Sequence, residues 1–173
     1  MQVGKLAFVP ATTAPDLVAE PVRRRLTEGL WVAEIDPTLA DTAAFCEHYD
    51  VALEVSANCV VVEARRAERV WYAACLVLAT TRADVNGVVR KHLGARKISF
   101  AAMDTAVSLT GMEYGGITPV GLPDDWPILI DEGVLAQEHV IIGGGVRGSK
   151  LLAVPAVLAQ LPNAEVLAIT KAD

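Results

Sequence analysis

Apolar residues occur along the chain in short runs separated by polar turns, and the two kinds of spacing within these runs predict strands and helices. Continuous or alternating β-branched runs indicate strands, and apolar residues three or four positions apart indicate helices. Predicted strands cover residues 5–10, 31–35, 58–64, 70–79, 96–100, 126–131, 138–144 and 165–169. Predicted helices cover residues 14–29, 36–50, 82–94, 103–111 and 155–161, and residues 149–154 fit either element.

Strands and helices alternate irregularly, and some predicted strands follow each other directly. The polar stretch RRAER joins residues 58–64 to 70–79, which predicts an antiparallel pair. An irregular order of this kind is typical of an α/β or α+β fold with a mixed sheet. The length of 173 residues suits one domain spanning residues 1–173, with no repeat or linker.

Residues with known preferences at helix ends support these boundaries. Asp36 is expected to cap the helix over 36–50, with Pro37 at its first position. Gly94 and Gly111 are expected to end the helices before them. Pro21 interrupts the helical spacing of residues 14–29.

Composition narrows the functional classes. Hydrophobic residues make up 53% of the chain and the mean hydropathy is +0.38, yet the longest apolar run, Val70–Ala79, is far shorter than the roughly 18 residues of a membrane span. No signal-peptide pattern is visible, and the odd set Cys46, Cys59 and Cys75 suits free thiols, so a cytoplasmic location without membrane contact is expected. With a formal charge of −6, nucleic-acid contact would require a local basic patch.

Side chains for metal or nucleophilic chemistry are sparse. His48, His92 and His139 have no ligand spacing, and no nucleophile-elbow motif is present. Cys59 and Cys75 lie in apolar runs, where thiols are usually inert. We therefore expect no metal and no cofactor.

The glycine-rich stretch GGGVRG at residues 143–148 satisfies the dinucleotide-binding pattern, which suggests a nucleotide-dependent oxidoreductase. The long helix that this fold requires is interrupted by Pro155, so this class ranks last. Ser149 and Lys150 stand in the reverse of the order that a P-loop requires. A glycine-dense turn beside Arg147 and Lys150 remains, and it fits either an anion-binding loop or a plain hairpin turn.

A second glycine-rich stretch, EYGGITPVGLP, covers residues 113–123. Three glycines and two prolines exclude a helix interior or a central strand. Ile117 and Val120 make it more apolar than a solvated linker. Such a loop suits a wall against which a ligand lies.

Together the two loops resemble the YbaK/ProX family of aminoacyl-tRNA editing domains, which are related to the insertion domain of bacterial prolyl-tRNA synthetases. The family's T-G, GG-[IV]-[ST]-P-x-G, I-D and GG-x-R-G motifs correspond to Thr110, Gly111, Gly115, Gly116, Ile117, Thr118, Pro119, Gly121, Ile130, Asp131, Gly144, Gly145, Arg147 and Gly148. The segment TTRADVNGVVRKHLGARK resembles the family's upstream region, and the match runs from about Thr38 to Pro155.

The resemblance implies a fold with a mixed, mostly antiparallel sheet, barrel-like in outline and flanked by helices. It implies hydrolysis of the ester that joins a wrong amino acid to the terminal adenosine of tRNA, by a positioned water without metal or covalent nucleophile. The expected partners are tRNA and, in addition, an aminoacyl-tRNA synthetase. The implied catalytic residues are Asn58, Gly116, Thr118 and Lys150, and the implied substrate-binding residues are Gly115, Ile117, Pro119, Gly144, Gly145, Arg147 and Gly148.

Two positions depart from the family pattern. Asn58 stands where the family usually has a lysine, and Lys150 stands where it often has an acidic residue that pairs with that lysine. An unpaired buried charge is costly, so we expect Lys150 to enter the pocket near Asn58 and to supply the missing ammonium. The alternatives are an exposed Lys150 and a non-catalytic module that binds aminoacyl-adenosine, a synthetase or tRNA.

Three further expectations concern the loops and the surface. Residues 115–119 and 143–148 should face each other across one cleft. Gly116→Ala should impair ligand binding more than stability, because a methyl group would fill space meant for the ribose; the alternative is a structural turn glycine, whose replacement lowers stability. The candidates for local tRNA contacts are Arg90, Lys91, Arg96, Lys97 and Arg147.

Overall fold

The structure, a computed structural model, describes residues 1–171. Its strands are β1 (Gln2–Val3), β2 (Leu6–Ala7), β3 (Val9–Pro10), β4 (Leu30–Glu34), β5 (Ala57–Arg66), β6 (Arg69–Leu78), β7 (Arg82–Ala83), β8 (Lys97–Phe100), β9 (Ile128–Asp131), β10 (Val140–Gly143), β11 (Ser149–Ala153), β12 (Ala164–Leu167) and β13 (Thr170–Lys171). Its α-helices are α1 (Glu20–Arg23), α2 (Thr42–Tyr49), α3 (Arg90–Leu93), α4 (Met103–Thr110), α5 (Glu132–Leu135) and α6 (Pro155–Ala159). Short 3-10 turns cover Ala11–Thr13, Pro15–Leu17, Pro37–Leu39 and Leu53–Val55, and a π-helical turn over Val85–Val89 precedes α3.

The larger sheet is built around the long hairpin of β5 and β6, which confirms the predicted antiparallel pair. Its strand order is β12-β9-β6-β5-β8. β9 runs parallel to β6 and β12 runs parallel to β9, whereas β8 is antiparallel to β5. β8 is an edge strand that pairs with residues 62–65 of β5, and β5 itself continues from Asn58 near one end to Arg66 at the other.

The second sheet has the order β10-β11-β4-β3 and is antiparallel throughout. The turn between β10 and β11 carries the GGGVRG stretch, and residues 149–153 form a strand rather than a helix. Apolar side chains from both sheets, among them Val32, Leu151, Leu76 and Ile130, share the main core. Within residues 1–171 neither sheet closes on itself, so the fold is a mixed α/β architecture without a closed barrel.

Two predicted helices are wrong in extent. Residues 14–29 hold only a 3-10 turn and the four-residue α1, in which Pro21 lies in the first turn and begins the helix instead of interrupting it. Residues 36–50 are divided, because Asp36 caps the 3-10 turn over Pro37–Leu39 and α2 begins separately at Thr42. The break between the two exposes the start of α2.

The segment between β9 and β10 contains a helix, although no helix is predicted there from the sequence. Asp131 caps α5 there by accepting a hydrogen bond from the amide of Gly133 at 3.0 Å. The intervening helix carries the chain across the molecule, so β9 and β10 belong to different sheets. No helix among residues 1–171 has the length and apolar composition needed to cross a membrane.

Candidate functional site

The two glycine-rich loops meet, as expected, but they touch directly. The amide of Gly145 donates to the carbonyl of Gly116 at 2.7 Å, and the amide of Glu113 donates to the carbonyl of Gly145 at 2.9 Å. The Glu113 carboxylate accepts from the amide of Arg147 at 2.8 Å. The loops therefore form one joined wall rather than two walls with a cleft between them.

Glycine is required where the loops touch. A Cβ on Gly116 would lie 2.7 Å from the carbonyl carbon and oxygen of Val146, and a Cβ on Gly143 would lie 2.5 Å from the carbonyl oxygen of Gly116. These neighbours are backbone atoms, which cannot rotate away. The expectation that Gly116 leaves room for a ribose is wrong, because that space is filled by the other loop.

A cavity of about 250 Å³ lies beside this wall. It is enclosed by the start of α2, the start of β5, both loops and β11. Its lining residues are Ala40, Asp41, Thr42, Ala57, Asn58, Cys59, Tyr114, Gly115, Ile117, Gly143 and Lys150. Polar and charged groups from four separate segments of the chain thus converge on one concave surface, as small-ligand sites commonly do.

Lys150 contributes a buried ammonium to the cavity. Only 8% of the residue is exposed, and its Nζ donates to the carbonyl of Ala40 at 3.0 Å and lies 5.0 Å from the ring centroid of Phe45. Burial lowers the pKa of Lys150 and Arg147 acts in the same direction, whereas Cys46 and Asp41 oppose the shift. The expected alternative of an exposed Lys150 does not fit this placement.

Asn58 lines the same cavity from β5. Its Oδ1 accepts a hydrogen bond from the Thr42 hydroxyl at 2.6 Å, which ties the beginning of β5 to the beginning of α2. This bond uses the amide oxygen of Asn58 and not its NH2 group. Asn58 thus contributes a neutral side chain to the cavity, while the ammonium comes from Lys150 on β11.

The start of α2 faces the cavity without a side-chain cap. Asp41 occupies the N-cap position but makes no capping hydrogen bond, and its carboxylate lies 3.7 Å from Arg147. Arg147 also donates from Nε to the carbonyl of Pro37 at 3.1 Å and from Nη1 to the carbonyl of Tyr114 at 3.4 Å. Arg147 therefore holds the rim together, and the first amides of α2 remain available to an anion.

The cavity collects only part of the residue set expected from the sequence. Asn58, Lys150, Gly115 and Ile117 line it, whereas Arg147 lies at its rim. The others lie outside its lining: Gly116, Thr118, Pro119, Gly144, Gly145 and Gly148. Thr118 is fully buried, with 0% exposure and no hydrogen-bond partner for its hydroxyl among residues 1–171, so its hydroxyl does not reach the cavity.

Asp41, Thr42 and Tyr114 are polar lining residues that the sequence reasoning missed. Asp41 and Thr42 had been placed inside one long helix, which hid the helix start between them. The Asp36-Pro37 pair marks only the preceding 3-10 turn. A second polar pair directly before an apolar helical stretch, Asp41-Thr42, was the available signal.

A second cavity, of about 350 Å³, shares Asn58 with the first. Its other lining residues are Val60, Val77, Thr81, Arg82, Ala83, Val85, Asn86, Phe100 and Lys171. Phe100 is 66% exposed on the edge strand β8, which is unusual for so large an apolar side chain. Asn58 thus lies between the first cavity and a second one whose lining is half apolar and includes an exposed aromatic ring.

The basic residues expected to contact tRNA are not all brought together. Arg147 lies at the rim of the first cavity. Arg90, Lys91, Arg96 and Lys97 lie in α3 and at the start of β8, and Lys97 pairs with Arg65 near the far end of β5. Asn58 and Arg65 are seven residues apart on one strand, which corresponds to about 23 Å.

The cysteines show no sign of an activated thiol. Cys59 lines the cavity, but burial raises its pKa, as does the neighbouring Cys75. Burial raises the pKa of Cys75 to about 12. Within residues 1–171 no three His, Cys, Asp or Glu side chains are grouped so that they could hold a metal ion.

Comparisons with known proteins show which fold and family the chain shares. A crystal structure of a candidate trans-editing enzyme for prolyl tRNA synthetase has a TM-score of 0.76 at 20% identity, covering 96% of this chain and 100% of the other. A scaffold protein used for grafting linear epitopes has a TM-score of 0.76 at 20% identity, and the match covers 95% of this chain and 100% of the other. The hypothetical protein APE2540 has a TM-score of 0.73 at 23% identity, and the match covers 87% of this chain and 96% of the other. The family model of the aminoacyl-tRNA editing domain matches residues 36–161, which is most of the chain, and the protein therefore belongs to the aminoacyl-tRNA editing domain family.

Proposed function

We propose that the protein is an aminoacyl-tRNA deacylase that hydrolyses the ester of a mischarged amino acid on the terminal adenosine of tRNA. The observation that carries this proposal is the convergence of the Lys150 ammonium, the uncapped start of α2 and the Asn58 amide on one cavity. The ammonium and the amide are hydrogen-bond donors, and the start of the helix is the positive end of a dipole. A cavity with this lining suits an oxygen that gains negative charge.

The chemistry requires little from the protein, because an aminoacyl ester is already activated. A water attacks the ester carbonyl carbon, and the carbonyl oxygen becomes an oxyanion near Lys150 and the first amides of α2. The bond from this carbon to the ribose oxygen then breaks, the ribose oxygen takes a proton, and the free amino acid leaves. The neighbouring ribose hydroxyl can position the water and relay the proton, so no protein nucleophile is needed.

The second cavity suits the base of the terminal adenosine. It adjoins the ester site at Asn58, has both apolar and polar walls and presents the exposed ring of Phe100. Bases commonly stack on such rings, with a contribution of about 1–3 kcal/mol for each base. The amino acid and the base would then lie on opposite sides of Asn58.

Phe100→Ala is expected to raise the KM for aminoacyl-tRNA about 10-fold, with little change in kcat, because stacking contributes to binding and not to the chemical step. Steady-state deacylation kinetics measure both constants. Val166→Ala removes another exposed apolar side chain, from β12 at the opposite edge of the same sheet, and it serves as the control. Equal KM values for Phe100→Ala and the wild type would place the base elsewhere.

A panel of aminoacylated tRNAs is expected to reveal at least one substrate that the purified protein deacylates faster than buffer does. Release of labelled amino acid measures the rate, and the protein with Lys150→Met is the comparison. The replacement of the family lysine by Asn58 favours the second candidate, a binding module without catalysis. Tight binding of a charged tRNA whose ester persists would select that candidate and contradict the deacylase.

A further inference from the structure

The charge of the chain is strongly divided between one segment and the rest. Residues 63–97 contain eight Lys and Arg and three Asp and Glu, a formal net charge of +5. The whole chain carries −6, so all the other residues together carry −11. In an acidic protein, such a concentration of cations marks a surface that can attract a polyanion.

The fold gathers part of this segment into one cationic surface that the linear sequence does not reveal. The tip of the β5–β6 hairpin meets the start of β8, where the amide of Arg96 donates to the carbonyl of Arg65 at 2.8 Å. Arg66 donates from Nη1 to the carbonyl of Gly94 at 3.2 Å, which holds the hairpin against the turn after α3. We name this surface the basic end and define it by the four exposed cations Arg65, Arg66, Arg96 and Lys97.

The basic end is concave and rich in cations. Its four cations, together with Ala67, line a depression of about 550 Å³. Arg69 is exposed next to the hairpin turn, and Arg90 and Lys91 lie on α3 one short turn before Gly94. The acidic side chains nearby are Glu63, which pairs with Arg65 at 2.5 Å, and Glu68 in the turn. Cations therefore outnumber acids at this end of the sheet.

The position of the basic end fits a particular part of a tRNA. It lies at the opposite end of β5 from Asn58, about 23 Å away along the strand. In an aminoacyl-tRNA the ester is at the end of a short single strand, and the base-paired acceptor stem begins a few nucleotides away. A ligand whose ester occupies the cavity would thus bring the phosphates of its stem towards the basic end.

We propose that the basic end binds the phosphate backbone of the acceptor stem of the tRNA substrate. The inference rests on the proposed function for the position of the ester, and it adds a second, separate contact to that site. Double-stranded RNA is recognised mainly through its backbone and shape, so clustered cations without base-reading side chains are sufficient. The contact confers affinity for a stem without selecting a sequence.

The test compares two double variants in an assay that needs no catalysis. Arg96→Gln/Lys97→Gln neutralises two charges of the basic end, and Lys5→Gln/Arg24→Gln neutralises one exposed lysine and one exposed arginine elsewhere. The probes are an uncharged RNA hairpin with a base-paired stem and a 3′ CCA strand, and the CCA strand alone. Fluorescence anisotropy at several salt concentrations measures their affinities.

For the hairpin, we expect Arg96→Gln/Lys97→Gln to weaken binding about 10-fold, with a salt dependence reduced by about two phosphate contacts. The control pair should bind like the wild type, and all three proteins should bind the CCA strand equally. Hydrolysis of a small aminoacyl-adenosine ester should also be equal. If the protein hydrolyses no ester, the proposed function fails, while the hairpin measurement still reports on the basic end.

Hairpin affinity that is equal in both variants and the wild type, whatever the rate of ester hydrolysis, would overturn the inference. If the monomer–dimer equilibrium of Arg96→Gln/Lys97→Gln, measured by sedimentation, changed at the same time, the basic end would be assigned to the acidic surface of another copy of this chain.

Discussion

Replacing Lys150 by methionine is expected to lower kcat/KM for deacylation about 100-fold, which is the usual effect of removing one donor from an oxyanion site. The ammonium is the buried positive charge of the cavity, and methionine retains the length and apolar stem of lysine. Single-turnover deacylation of a charged tRNA measures the loss directly. A wild-type rate for Lys150→Met would exclude Lys150 from the chemistry.

Stability distinguishes this catalytic effect from misfolding. Methionine removes the hydrogen bond to the carbonyl of Ala40, but it also relieves the burial of a charge. These two effects oppose each other, so the free energy of unfolding is expected to stay within about 1 kcal/mol of the wild type. Urea denaturation measures this difference. A loss of several kcal/mol would make Lys150 a structural residue.

The position of the charge can be tested in the same background. Asn58→Lys combined with Lys150→Met returns an ammonium to the cavity from β5, the side on which the family usually carries it. We expect this double variant to regain about 10-fold of the lost rate, because a charge in the same cavity restores part of the electrostatic stabilisation. The single variant Asn58→Lys should be less active than the wild type, since two like charges would share the cavity.

Gly116→Ala is expected to lower the free energy of unfolding by about 2–3 kcal/mol, because its methyl group would overlap the backbone of Val146. The two loops would have to separate, and the bond between the amide of Gly145 and the carbonyl of Gly116 would lengthen. The deacylation rate should fall because less of the protein is folded and because the separated loops distort the wall of the cavity. Thermal and urea denaturation measure the change in stability.

Gly148→Ala is the matched control for this loop contact. A Cβ on Gly148 would meet its nearest neighbour, Cγ of Pro37, at 3.7 Å, which is an ordinary van der Waals distance. We therefore expect its stability to change by less than about 1 kcal/mol. If Gly116→Ala were as stable as Gly148→Ala but bound its ligand poorly, the glycine would serve the ligand and not the loop contact.

Local sequence patterns determined much of the fold and the family. The long apolar runs on each side of RRAER predicted the β5–β6 hairpin, and Gly94 and Gly111 marked the helix ends where the backbone adopts positive φ. The order of the glycine-rich motifs indicated the aminoacyl-tRNA editing domain family, which the family model over residues 36–161 confirms. Each of these signals depends on neighbouring residues, so it can be read without knowledge of distant contacts.

The composition of the site was decided by tertiary structure. Gly116 and Thr118 belong to the motif that marks the family, yet both are buried in or behind the contact between the loops. Asp41 and Thr42 line the cavity because the chain breaks its helical path before α2, a break to which the short 3-10 turn and tertiary packing both contribute. A motif specifies which residues a loop contains, but the opposing loop decides which of them face a ligand.

The charges of the cavity and of the basic end also separate what the sequence shows from what the folded structure decides. The resemblance to the family drew attention to Asn58 and Lys150, but the sequence did not place the Lys150 ammonium against the Ala40 carbonyl. It showed Arg96-Lys97 and Arg65-Arg66 as separate pairs, which β-sheet register brings side by side. Side-chain chemistry is local and could be read from the chain, whereas cavities and charged surfaces arise where segments distant in sequence meet, so only the folded structure determines them.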